Sequence, residues 1–220
     1  MKLNRLWWWV LPLLGLSTVT CTREYVEDLR GVCFQRDVLP IFQSNCTQSG
    51  CHNSQDREEG YDLSSYEQIV SKGIVPGNYK SSKIYKVLVA PGGEGLMPQS
   101  PYSRLTDAQI TLVALWINEG AENTNCSDSS SCITTDVKFS ANITPILQTY
   151  CNGCHGGSSP QGNINYNTYA GVKATVTNGK LLGSIQHAAG YIAMPQNANK
   201  LSACKISTIQ AWIDAGAPNN

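Results

Sequence analysis

The residues best suited to chemistry are two cysteines and a histidine in the stretch Cys151-Asn152-Gly153-Cys154-His155. Two cysteines separated by two residues, with a histidine directly after the second, are typical of a covalent attachment site for c-type haem. In that chemistry each thiol adds to one vinyl group of the porphyrin, and the adjacent imidazole reaches the iron from the proximal side. The alternatives are a chance occurrence of the pattern and half of a zinc site, which would need two further ligands nearby.

Two methionines supply the sulfur that would complete such a site on the distal side. Met97 and Met194 each stand before Pro-Gln, and Met1 is the only other methionine in the chain. A methionine opposite a histidine is the ligand pair of electron-transferring cytochromes c and raises the reduction potential. We therefore predict that Met194 is the distal partner of His155. A methionine that only fills the core is the alternative.

The chain contains a second copy of this arrangement, and the two copies run in the same order. Residues 36–52 read RDVLPIFQSNCTQSGCH, and residues 140–155 read SANITPILQTYCNGCH. The other matched pairs are Ser65-Tyr66 with Thr168-Tyr169, Met97-Pro98-Gln99 with Met194-Pro195-Gln196, and residues 105–123 with residues 201–219, where Trp116 matches Trp212 and Gly120 matches Gly216. The repeat predicts two homologous units of similar size, residues 31–126 and 127–220, joined by a Ser- and Asp-rich linker.

The first copy departs from the pattern because four residues, not two, separate Cys46 from Cys51. Ser and Gly in this wider loop bend easily, and His52 keeps its place directly after the second cysteine. We predict a haem here as well, with Cys46 and Cys51 as attachment points, His52 proximal and Met97 distal. The alternatives are a missing or singly attached haem and a Cys46–Cys51 disulfide.

The secondary structure indicated by the sequence is helical throughout, so the predicted fold class is all-α. Short helices over residues 37–45 and 142–150 lead into the cysteines, each with a proline in an early turn. Thr106 and Asp107 begin a longer helix with apolar residues at helical spacing, and its counterpart follows Leu201. Shorter helices are expected around residues 84–89 and 181–187. No stretch alternates regularly enough to predict a sheet.

Composition limits the classes of partner that the chain can have. Sixteen basic residues balance sixteen acidic ones, so no basic field points to a nucleic acid partner. Nine cysteines indicate an oxidising compartment unless all of them bind metal.

The first twenty residues have the pattern of a secretory signal. Lys2 and Arg5 precede an apolar run from Leu6 to Leu16, which is too short to predict a membrane-spanning helix. The segment ends at Cys21, as in a bacterial lipoprotein leader, although the three residues before the cysteine depart from the usual pattern. We predict export to the periplasm or cell surface with a lipid anchor on Cys21. An ordinary cleaved leader is the alternative.

Four cysteines remain once Cys21 and the four attachment positions are set aside. They are Cys33, Cys126, Cys132 and Cys204, and four cysteines permit three pairings. The repeat favours Cys33–Cys126 and Cys132–Cys204, because each pair would join the start of a unit's first helix to one end of its last helix. The competing arrangement pairs Cys126 with Cys132 and Cys33 with Cys204.

The order of first helix, attachment motif, loops, Met-Pro and an aromatic-bearing last helix resembles that of small class I cytochrome c domains. The MPQ triplet and the ending AWIDAGAPNN are similar to cytochrome c-like domains of exported lipoproteins of Bacteroidetes and Planctomycetes. The resemblance covers nearly the whole chain after the leader, twice. It implies two tandem helical domains with long loops, whose first and last helices cross and whose haem lies in a crevice. The residues that would hold two covalent haems are Cys46, Cys51, His52, Met97, Cys151, Cys154, His155 and Met194.

The function expected from these features is single-electron transfer between redox protein partners, without catalysis, because both axial positions of each iron would be filled. A dihaem peroxidase is an alternative, but it would need an iron that can open a coordination position. A non-redox surface lipoprotein module is a second alternative. His187, the remaining histidine, has no counterpart in the first unit; we expect it to be partly exposed, with ligation in place of Met194 as the alternative.

Overall fold

Both attachment motifs are reached through a short helix that begins as a π-helical turn. The computed structural model describes residues 31–91, 95–126, 132–196 and 198–220. In the first half, a π turn over Phe34–Val38 runs into helix α1, Leu39–Cys46. In the second half, a π turn over Phe139–Ile143 runs into α5, Thr144–Tyr150, and α6, Asn152–His155. Pro lies in the first turn of both α1 and α5, as the sequence predicted.

Two short helices lie between attachment motif and methionine in each half. They are α2, Tyr66–Ser71, and α3, Lys83–Leu88, in the first half, and α7, Tyr169–Thr177, and α8, Lys180–Ile185, in the second. Helices α3 and α8 occupy the two places where the sequence predicted helices. The segments that begin at Tyr66 and Tyr169 are helical too. The sequence showed that these segments match in the repeat, but it did not predict that they are helices.

Each half ends on a longer helix, α4, Asp107–Asn118, and α9, Ala203–Asp214. The Thr106 side chain caps α4 by accepting a hydrogen bond from the backbone N–H of Gln109. The Gln109 side-chain oxygen in turn accepts a hydrogen bond from the backbone N–H of Thr106. Gly120 and Gly216 follow these helices with positive φ angles of 106° and 89°, a conformation that glycine adopts without strain. The residues described contain helices and turns but no strand, so the fold is all-α.

The same three aromatic side chains form the centre of each half. Phe34 packs on Trp116 with ring centroids 4.9 Å apart and meets Tyr66 edge-on at 5.2 Å. In the second half Phe139 packs on Trp212 at 5.4 Å and meets Tyr169 at 5.2 Å. These contacts fix the start of each half against its last helix.

The polar atoms of these aromatics are paired in the same way in both halves. The indole N–H of Trp116 donates to Glu122 O at 2.9 Å, and that of Trp212 donates to Pro218 O at 2.9 Å. The matched tyrosine hydroxyls donate to the carbonyls of Ala121 and Ala217. Buried apolar residues form two clusters, one from residues 32–121 and one from residues 137–217, within a unit that extends from Gly31 to Asn220. Each half therefore has its own hydrophobic core.

Two disulfides connect the pairs that the repeat favoured. Cys33 is bonded to Cys126 and Cys132 to Cys204, with Cα–Cα distances of 6.0 Å and 5.1 Å. The predicted pairing is confirmed, and the alternative of Cys126–Cys132 is wrong. The Cys33–Cys126 bridge ties the start of the first half to the segment that follows α4, and the Cys132–Cys204 bridge ties the start of the second half to the first turn of α9.

The leader, its Cys21 and the linker residues 127–131 lie outside the described residues. Among the described helices, none combines the length and the apolar character needed to cross a membrane.

Removal of one bridge tests its share of the stability. The Cys33–Cys126 bond closes a loop with a sequence separation of 93 residues. A disulfide that closes a long loop restricts the unfolded chain more than one that closes a short loop. We therefore expect the Cys33→Ala/Cys126→Ala variant to lose about 2–5 kcal/mol in free energy of unfolding, measured by urea titration. The Cys132→Ala/Cys204→Ala variant, which opens a loop of 72 residues, is the matched comparison. An unchanged urea midpoint in both variants would contradict the prediction.

Candidate haem-binding sites

The two attachment motifs are closed by the same backbone hydrogen bond in spite of their different lengths. His52 N donates to Cys46 O at 3.0 Å, and His155 N donates to Cys151 O at 2.9 Å. The two extra residues of the first motif form a turn in which Cys51 N donates to Gln48 O. The wider spacing therefore leaves the histidine in the same relation to the first cysteine.

The turn of the first motif is held in place by Asp56. Its carboxylate accepts hydrogen bonds from Gly50 N and from the Asn53 side-chain amide, both at 2.6 Å. These two hydrogen bonds lower the pKa of Asp56, and the bond from Asn53 has the larger effect. Gly50 has a φ of 78°, which the turn requires and glycine tolerates.

Both histidines are oriented by a hydrogen bond to a carbonyl six residues further along the chain. His52 Nδ1 lies 3.0 Å from Glu58 O, and His155 Nδ1 lies 3.0 Å from Gln161 O. Each carbonyl belongs to the first residue of a 3₁₀ turn, Glu58–Gly60 or Gln161–Asn163. A carbonyl only accepts, so Nδ1 carries the proton and Nε2 of the neutral ring keeps its lone pair for a metal. This is how proteins orient a histidine ligand.

An aromatic ring packs on each imidazole. Tyr61 meets His52 at 5.9 Å between centroids, and Tyr166 meets His155 at 5.4 Å. Burial lowers the pKa of His155, while its bond to Gln161 acts in the opposite direction. Burial also raises the pKa of Tyr166 to about 12. Burial thus favours the neutral form of His155, which is the form that binds a metal.

The two methionines occupy matching places on the backbone. Met97 N donates to Val87 O at 2.8 Å, and Met194 N donates to Ser184 O at 3.1 Å. Both carbonyls lie in the second of the two short helices of their half, α3 or α8. Both side chains are half-buried. The Met-Pro segments are therefore fixed to their helices in the same way.

A cavity in the first half brings all four predicted site residues together. It has a volume of about 630 Å³, within the range of cofactor sites in proteins. Cys46, Cys51, His52 and Met97 all line it. Its wall also contains the buried apolar residues Phe42, Leu63, Ile84 and Leu88. Two thiols that can bond to a porphyrin, together with an imidazole and a thioether that can bind iron, fit a c-type haem. Such a haem would supply an iron that takes up and releases one electron.

The four motif cysteines are free thiols, so the alternative of a Cys46–Cys51 disulfide is not what the structure contains. Burial raises the pKa of Cys46 and of Cys151 to about 12 in each case. It also raises the pKa of Cys51 and of Cys154. At Cys51 the charges of Asp56, Glu58 and Cys154 raise the pKa further.

His187 lies beside the Met194 backbone. The His187 side chain is exposed, and its Nε2 is 3.1 Å from Met194 O, where it is placed to donate a hydrogen bond. Its exposure was expected from the sequence, whereas the contact with the methionine segment was not.

Among the residues that the structure describes, no three His, Cys, Asp or Glu side chains are grouped so as to hold a metal ion. An iron held by a porphyrin, one histidine and one methionine does not need such a group. Comparisons of the chain with protein-family models, with curated proteins and with solved structures find no match.

Sequence reasoning missed the residues that join the two motifs. Gln48 lies in the longer loop of the first motif, 6% exposed, and its amide nitrogen is 3.6 Å from Cys154 Sγ. The glycine inside the second motif, Gly153, packs on the backbone of Ser44. The only signals in the sequence were the extra length of the first loop and the glycine itself, and neither identifies a partner as distant as Cys154, 106 residues from Gln48.

Alkylation of the protein before haem attachment tests the thiol environments. A pKa of about 12 leaves roughly one Cys46 thiol in 10,000 as thiolate at pH 8, and only the thiolate reacts. We expect iodoacetamide to modify Cys46 at least about tenfold more slowly than the more exposed Cys51, with the Cys46 rate increasing as the pH rises towards 12. Peptide mass spectrometry measures both sites in one molecule, and urea should remove the difference. Equal alkylation rates of Cys46 and Cys51 in the folded protein would contradict the burial of the Cys46 thiol.

Proposed function

We propose that this protein is an exported dihaem c-type cytochrome that carries single electrons between redox partners. The observation that carries the proposal is the cavity lined by both cysteines, the histidine and the methionine of the first motif. The matching hydrogen bonds of His155 and Met194 extend it to the second motif. Each site would hold one covalent haem.

The roles of the side chains follow from their chemistry. Cys46 and Cys51, and Cys151 and Cys154, would attach the porphyrin through thioether bonds. His52 and His155 would bind the iron through Nε2, because Nδ1 is bound to a carbonyl. Met97 and Met194 would bind it through their thioether sulfur, which raises the reduction potential. Burial of the haem against the apolar residues of the cavity wall would raise the potential further.

The absence of catalysis is part of the proposal. A haem with a histidine and a methionine bound has no open position for peroxide or another substrate, so the protein would transfer electrons without converting a substrate. A dihaem peroxidase requires one iron that can release a ligand. The spectroscopic test below separates the two functions.

Export and anchoring are proposed on the basis of the leader and the cysteines. Two disulfides in one small chain favour an oxidising compartment, the periplasm or the cell surface. The leader that ends at Cys21 would place a lipid on that residue and hold the protein at a membrane. The partners are then other redox proteins of the same compartment.

Absorption spectroscopy tests the proposed function. The chain is expressed with and without haem-attachment machinery, and haem is quantified by the pyridine haemochrome assay. We expect two covalent haems per chain, both low-spin in the oxidised and in the reduced protein. One stable high-spin haem would favour a peroxidase. Protein without covalent haem would leave the non-redox surface module as the remaining function.

Replacement of the methionines one at a time tests the distal ligands. We expect Met194→Ala to convert half of the low-spin haem to high-spin and to lower the potential of that half, because the thioether that favours reduced iron is lost. Met97→Ala should do the same to the other half, so each variant is the control for the other. Gln196→Ala alters the same segment without removing a ligand and should leave the spectrum unchanged. A spectrum unaffected by either methionine variant would refute the assignment.

A further inference from the structure

The two attachment motifs are in direct contact at the crossing of α1 with α5 and α6. A methyl group on the Cα of Gly153 would lie 1.8 Å from Ser44 O and 2.8 Å from Asn45 Oδ1. No side chain fits at this point, so glycine permits the close approach of the two backbones. Ser44 Oγ also donates to Thr149 O at 2.6 Å, which fixes α1 against the end of α5.

Gln48 bridges the two motifs through its side-chain amide. It donates to Ser44 O at 2.6 Å and to Cys154 Sγ at 3.6 Å. The sulfur needs only a lone pair to accept this bond, so the contact is compatible with a thioether at Cys154. Gln48 belongs to the loop between Cys46 and Cys51 that is two residues longer than its counterpart. The extra length of the first motif thus provides a side chain that reaches the second.

A second contact joins the segment after Met97 to the segment after His155. Ser158 N donates to Pro101 O at 3.3 Å, and Asn167 Nδ2 donates to Ser103 Oγ at 3.4 Å. A methyl group on Gly157 would lie 2.2 Å from Pro101 O. The two sites are therefore linked in two places. One link joins the two attachment motifs, and the other joins the segment after Met97 to the segment after His155.

On the basis of the function proposed above, we propose that the contact of the Cys46–Cys51 loop with the Cys151–His155 segment couples the two haem sites, so that they do not titrate independently. Dithionite would supply one electron to each site in turn. The first electron would change the charge beside a junction where Gly153 lies against the Ser44 backbone and Gln48 contacts Cys154. Charges interact more strongly across packed protein than across water, so the second electron would enter less readily.

Redox titration of the dihaem protein tests the coupling. The Cys46→Ala/Cys51→Ala and Cys151→Ala/Cys154→Ala variants each keep one site, and independent sites would make the wild-type curve the sum of these two curves. We expect instead that the equilibrium constant for the second electron is lower by about tenfold, equal to about 59 mV for a one-electron step. A wild-type curve equal to the sum would overturn the proposal.

Two glutamine variants provide a matched comparison that does not depend on the single-site proteins. Gln48→Ala removes the amide that bridges the two motifs, and Gln210→Ala removes an amide that bonds to Asp214 within the second half. Gln48→Ala should reduce the coupling, whereas Gln210→Ala should leave it unchanged. Gly153→Ala places a methyl group 1.8 Å from Ser44 O across the junction and should reduce the coupling too.

Haem content separates the failure of this proposal from that of the proposed function. Fewer than two covalent haems in the wild-type protein would contradict the proposed function itself. Two haems, with equal coupling in the wild type and in the Gly153→Ala and Gln48→Ala variants, would contradict the coupling alone.

Discussion

The packing of a phenylalanine on a tryptophan at the start of each half is the contact on which the rest of the structure depends. Phe34 on Trp116 and Phe139 on Trp212 hold the first helix of each half against the last. The first helix leads into the cysteines, and a disulfide also holds the segment before that helix in each half. A helical unit of this size with long loops has a thin core, so covalent bridges contribute a large share of its stability. The apolar wall at the first site exists because these elements are held together.

The backbone of both sites is more alike than the sequences of the motifs. The first motif has two additional residues, yet the bond from the histidine N–H to the first cysteine carbonyl is the same in both. The carbonyls that orient His52 and His155 come from 3₁₀ turns of unrelated sequence, EEG and QGN. At these two turns the halves therefore share their hydrogen-bond geometry although their residues differ. Gln48 uses the added length of the first motif for a contact that the second motif has no means to make.

Much of the local structure could be predicted from the sequence because its determinants are local. Thr106 three residues before Gln109 encodes a capping box, and the repeat gives each unit one disulfide. The sequence predicted a helix from residue 37 but not the π turn that begins at Phe34, whose partner Trp116 lies 82 positions away in the chain. The junction of Gly153 with Ser44 was not predicted for the same reason. Periodicity identifies an apolar face, but it does not identify the partner of that face.

The central claim is that four specific cysteines carry two porphyrins. Intact mass spectrometry of the protein, made with haem-attachment machinery and then treated with iodoacetamide under denaturing conditions, tests it most directly. The account predicts a mass increased by two haem groups and no alkylation at Cys46, Cys51, Cys151 or Cys154. A colourless protein with the mass of the bare chain and four alkylated cysteines at these positions would contradict it.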